Sequence, residues 1–97
     1  MNVHIALYKW KSSVTQNQID KVFDDLIKLG PKIPGLTSIS CARNKSRYSE
    51  GYTHVILVMG ESQNAIDAYR SDPEHAKIAS AIDNMEDHGI GVDFETD

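Results

Sequence analysis

The segment Val3-His-Ile-Ala-Leu-Tyr-Lys-Trp10 limits the fold most, because as a strand it is largely apolar on both faces. Period 2 places His4, Ala6, Tyr8 and Trp10 on one side and Val3, Ile5, Leu7 and Lys9 on the other. Such a strand needs a covering layer on each side. Tyr52 to Met59 joins it in this demand, with Tyr52, His54, Ile56 and Val58 sharing one face. A chain of 97 residues makes one small domain, 1–97, with a modest core. Self-association is therefore a natural source of the second layer.

The remaining elements follow from caps and periodicity. Thr15 and Gln18 have capping-box spacing, Ile19, Val22, Phe23, Leu26 and Ile27 recur at helical intervals, and Gly30-Pro31 stops the helix. Leu36 to Asn44 alternates as a strand, with Thr37, Ile39, Cys41 and Arg43 on one side, and the polar loop Lys45 to Gly51 joins it to Tyr52 through Met59. Ser62 caps a second helix carrying Ala65, Ile66 and Tyr69. Asp72-Pro73 then supplies an N-cap and a first-turn proline for a third, striped by Ile78, Ala81, Ile82 and Met85. His88 is expected at the C-terminal end of that helix, Gly89 ends it, and Ile90 to Phe94 forms a short final strand. The order βαββααβ is that of a ferredoxin-like α+β fold, a four-stranded antiparallel sheet with helices on one face.

Ten Lys and Arg against fourteen Asp and Glu give a formal charge of −4 without a basic cluster, which argues against a nucleic-acid partner. The longest apolar run, Val55 to Met59, is far shorter than the roughly 20 residues that span a bilayer, so no membrane association is expected. The amino terminus lacks the blocks of a signal peptide, and a soluble, cytoplasmic protein is expected. The single Cys41 has no intrachain partner and reads as structural.

The chemistry-bearing residues fall in Gly51-Tyr-Thr-His54 and Tyr69-Arg-Ser-Asp-Pro-Glu-His75, with His4 in the first strand. Histidine exchanges protons near neutral pH, so a fold that gathers such residues can perform acid–base chemistry. A buried histidine with a hydrogen-bond partner is equally an ordinary core residue.

In these stretches the chain resembles the stress-responsive A/B barrel (Dabb) family along essentially its full length. The matching segments are His4-Ile-Ala-Leu-Tyr-Lys-Trp-Lys11, Ile33-Pro-Gly-Leu36, Ala42-Arg-Asn44, Gly51-Tyr-Thr-His54, Ala68-Tyr69, Asp72-Pro-Glu-His75 and Val92-Asp-Phe94. The resemblance implies a homodimer whose two sheets face each other as a dimeric α+β barrel. It also implies a pocket between sheet and helices. In the family's polyketide cyclases, residues matching Tyr69 and His75 act together there, and histidines matching His4 and His54 lie at or near the pocket. Tyr8 and Ile56 join His4 and His54 as expected ligand contacts. In chemical terms, neutral His75 takes a proton α to a carbonyl, and Tyr69 donates to the resulting enolate.

This chain departs from the cyclase pattern at three places. Asp72 stands where the motif has its first histidine and suits an N-cap, Glu86 falls about where the cyclases have an aromatic wall, and Gly89 and Gly91 replace larger apolar residues. A pocket changed in this way is not expected to take the same long apolar tail. Three readings follow: a homodimeric binder of a small carbonyl, phenolic or acyl ligand; a cofactor-independent cyclase-like enzyme; and a cofactor-free monooxygenase-like barrel, which fits the fold without a motif of its own. No cofactor is expected, and no metal, since Gly30-Pro-Lys-Ile33 adds no carboxylate to the loop that holds a divalent cation in some relatives.

Overall fold

A computed structural model describes residues 1–97. It contains strand β1 (Asn2–Trp10), helix α1 (Gln16–Leu29), a 3-10 turn (Gly30–Lys32), strands β2 (Leu36–Arg43) and β3 (His54–Gly60), helices α2 (Gln63–Ser71) and α3 (Pro73–Met85), and strand β4 (Glu86–Glu95). The strands form one antiparallel sheet in the order β2-β3-β1-β4. This is the expected ferredoxin-like α+β arrangement.

Local chemistry fixes each helix start. At α1 the Gln18 amide donates to Thr15 Oγ1 at 3.3 Å and the Thr15 amide donates to Gln18 Oε1 at 2.8 Å, a reciprocal capping box. Ser62 caps α2 by accepting from the Ala65 amide, and Asp72 caps α3 by accepting from the Glu74 and His75 amides. The turn before β2 requires Gly35, whose φ is +84° and where a Cβ would lie 2.9 Å from that of Ala65.

Two sequence expectations are corrected. Ile27 is 47 % exposed and Leu29 completes the buried stripe of Ile19, Val22, Phe23 and Leu26, because Ile27 lies about 100° round the helix from Leu26. The final strand begins at Glu86, directly after α3, so His88 is a strand residue and not a helix C-terminus. Its pairing partner is Lys9, and Trp10 pairs with Glu86. Backbone bonds to the long β1 thus extend a strand whose glycines and acidic residues have little propensity of their own.

The core lies between the helices and one sheet face, where Ala6, Ile56 and Val58 meet the α1 stripe and Ile66, Tyr69, Ile78, Ile82 and Met85. The opposite face carries three cross-strand apolar rows, Met59–Val3–Phe94, Leu57–Ile5–Val92 and Val55–Leu7–Ile90. Ile90, Val92 and Phe94 remain 39–47 % exposed. Within one chain the second layer demanded by the strand pattern is missing.

A candidate acid–base cavity between sheet and helices

A cavity of about 60 Å³ lies under α2 and α3 on the helix side of the sheet. His4, Ala6 and Tyr8 of β1 and Ile56 of β3 form its floor. Tyr69 of α2 and His75 of α3 face them, with Leu26, Ala79, Ile82 and Asp83 completing the wall. Alternation along β1 and β3 brings the floor residues together, and the capped start of α3 sets His75 beside Tyr69.

The Tyr69 and His75 rings are 4.3 Å apart between centroids and inclined by 54°. His75 Nδ1 is 3.2 Å from the Arg70 carbonyl oxygen, which can only accept, so Nδ1 carries the proton and Nε2 is the acceptor of the neutral ring. Burial pulls the His75 pKa below its ordinary value, the Arg70 hydrogen bond opposes this, and the nearby His4 and Arg70 charges reinforce it. Tyr69 is buried at 3 % exposure, and burial, reinforced by Tyr8, pushes its phenol well above the usual range. At neutral pH the pair presents a phenolic donor beside an imidazole acceptor.

His4 pairs through Nδ1 with Asp93 Oδ1 at 2.8 Å, and Arg70 Nη2 donates to the same oxygen at 2.9 Å. Arg70 Nη2 also lies 2.7 Å from His4 Nδ1, but one nitrogen cannot donate to a carboxylate while accepting from a guanidinium. The charge-assisted bond to Asp93 places the proton on Nδ1. Burial works to raise the Asp93 pKa, yet hydrogen bonds from His4 and Arg70 prevail and hold it below the usual carboxylate range. Tyr8 is pushed up to about 12 by burial and by the charges of Glu86 and Asp83.

Five of the six expected residues, His4, Tyr8, Ile56, Tyr69 and His75, therefore line one cavity, and His54 does not. It is only 4 % exposed and packs between Trp10 and Phe23, with ring centroids at 5.8 and 5.7 Å. Its Nδ1 accepts from the Trp10 indole at 2.8 Å and from Thr53 Oγ1 at 2.9 Å, so the neutral ring carries its proton on Nε2, a buried atom with no hydrogen-bond partner. Burial, aided by the Arg43 charge, lowers its pKa. The physical reason for the separation is register: His54 sits opposite Tyr8, whose ring lines the cavity instead.

Sequence reading missed Arg70 and Asp93 as partners of His4, although both stand inside noted segments. Their meeting depends on the β1–β4 register, which pairs His4 with Asp93. The larger clefts are more open and hold no such ring pair; the one of about 350 Å³ between α1 and α3 is lined by Lys28, Lys32, Lys77, Asp25 and Glu74, and one of about 500 Å³ by Val14, Asn17, Val22 and Met85 among others.

An antiparallel sheet with helices on one face and an uncovered apolar second face defines a ferredoxin-like α+β protein, here with a cavity holding a Tyr–His pair. The chain belongs to the stress responsive A/B barrel domain (Dabb) family, whose model matches residues 3–96. It is similar to olivetolic acid cyclase of Cannabis sativa, 28 % identical over 74 residues that cover 74 % of this chain and 73 % of that protein. Two dimeric ferredoxin-like proteins share the fold. That of Jannaschia sp. CCS1 has a TM-score of 0.90 at 24 % identity, over 98 % of each chain. That of Thermobifida fusca YX has a TM-score of 0.85 at 25 % identity, over 98 % of this chain and 90 % of the other.

Proposed function

We propose that residues 1–97 act as a single-domain homodimer that binds a small carbonyl, phenolic or acyl ligand between sheet and helices. The observation that carries this reading is the Tyr69–His75 pair, whose rings lie 4.3 Å apart between centroids and which offers one donor and one acceptor to a cavity floored by Ala6 and Ile56. The apolar rows on the other sheet face support the homodimer, since a second copy covers them, and dimeric relatives of the same fold agree with this. Thermal shift with phenol and 2,4-pentanedione tests the binding: each stabilises the wild-type chain by mass action, and Tyr69→Phe with His75→Ala abolishes the effect. An equal shift in the double variant would falsify the assignment.

A second reading, cofactor-independent aldol chemistry, is favoured by the neutral His75 tautomer and by the cyclase among the relatives. His75 Nε2 removes a proton α to a carbonyl, and the Tyr69 hydroxyl hydrogen-bonds the enolate oxygen. The enolate carbon then attacks a second carbonyl carbon of the same molecule. A carbon–carbon bond forms, and the resulting alkoxide recovers the proton from the imidazolium. Deuterium exchange at the α carbon of 2,4-pentanedione, measured by NMR above the buffer rate, is the readout. It vanishes in His75→Ala if this reading holds.

A further inference from the structure

We infer that the ligand crosses β1 at Ala6 and lies on a glycine floor over β4, and that Gly91 decides how large a ligand is accepted. This rests on the cavity being a ligand site. Clefts that hold substrate-sized organic ligands measure roughly 300–1,000 Å³, whereas the enclosed cavity is about 60 Å³. It has room for a reacting end and little more.

A groove of about 260 Å³ adjoins it on the β4 side and shares His4, Ala6 and Tyr8 with it. The register explains the opening. Ala6 pairs with Gly91 and Tyr8 with Gly89, so the helix side of these strands carries its smallest side chains in adjacent positions. No helix residue fills the space above, since a Cβ at Gly91 would meet nothing within 4 Å. Gly89 has a different role: a Cβ there would collide with the Glu86 carboxylate, which folds over it.

Glycine weakens a strand, and the other face of β4 is built ordinarily from Ile90, Val92 and Phe94. The two glycines are thus confined to the face that continues the cavity. Charge sets the chemistry of the occupant. At one end Arg70, Asp93 and His4 satisfy one another, while at the other the Glu86 carboxylate offers an acceptor. The fitting ligand is neutral, planar enough to cross Ala6, and carries a hydroxyl donor at its far end. A far-end carboxylate is repelled.

Titration of the ¹⁵N-labelled chain with phenol and with 4,4′-dihydroxybiphenyl tests this. Phenol is expected to move backbone signals around Tyr69 and His75 only, and the biphenyl to move those of Gly89 and Gly91 as well and bind at least ten-fold tighter. In Gly91→Leu the biphenyl affinity falls at least ten-fold and that of phenol is unchanged; Gly91→Ala, which adds one methyl to open space, keeps both and controls for folding. Biphenyl binding without signals at Gly89 and Gly91, or undiminished in a folded Gly91→Leu, overturns the inference. Phenol binding with no gain for the biphenyl overturns the groove alone, and binding of neither overturns the ligand site as well.

Discussion

Replacing Asp72 separates the two things its carboxylate does for α3. It accepts from the Glu74 amide at 2.8 Å and the His75 amide at 3.4 Å, and it places a negative charge at the helix N-terminus. Loss of such a cap costs about 1 kcal/mol, and loss of the charge at the positive end of the helix about 0.5 kcal/mol more. Asp72→Ala is therefore expected to destabilise by about 1.5 kcal/mol, a fall in Tm of roughly 6–12 °C for a domain of this size. Asp72→Asn keeps the acceptor and loses only the charge, so its fall is roughly 2–4 °C. The same charge raises the pKa of His75 against the lowering by burial, so Asp72→Asn also moves the His75 titration further down. Thermal melts at one fixed protein concentration give the first quantity, and histidine NMR titration the second. Equal losses in the Asn and Ala variants, or a His75 pKa that does not fall, would refute the capping argument.

Three further outcomes are expected. His54 and His75 both titrate below their ordinary value in the folded chain, so the unfolded chain binds more protons in the interval beneath about 6.5. Their contribution to stability is complete above that pH and is lost as pH falls through the folded-state values; a urea midpoint lower at pH 5.5 than at 7.5, with a smaller difference in His75→Gln, is the signature. Leu26 is 1 % exposed at the centre of the core, so Leu26→Ala is expected to cost about 2–5 kcal/mol by urea unfolding, and a loss below about 1 kcal/mol contradicts the packing described. Ile5→Lys puts a charge in the middle apolar row of the uncovered face, and sedimentation equilibrium should show the two-chain mass expected of the proposed homodimer falling to one; a two-chain mass unchanged by the substitution, or a one-chain mass in the wild type, removes this face as the proposed interface.

Much of this architecture is written in local patterns. Thr15–Gln18, Ser62 and Asp72-Pro73 announce three helix starts because capping depends on residues only two or three apart. Alternation along β1 and β3 places His4, Tyr8 and Ile56 on the helix side because strand geometry has period 2. The same pattern exposes the need for a layer on the far face. Propensity misleads where pairing overrides it: Glu86 to Gly89 join β4 because β1 offers them backbone partners.

The sequence by itself determined the order of elements and the two apolar sheet faces, since these rest on spacings of a few residues, and its family resemblance nominated five histidine and tyrosine positions. Only the tertiary structure decided which candidates meet. His75 reaches Tyr69 across a helix break, His4 finds Asp93 89 positions away through strand register, and His54 turns to Trp10 and leaves the cavity. These distances follow from how strands slide into register and how helices lie on the sheet. Alternation forbids a one-residue slip, which reverses every face, but a slip of two keeps the faces and changes every partner, so no local pattern specifies which residues meet.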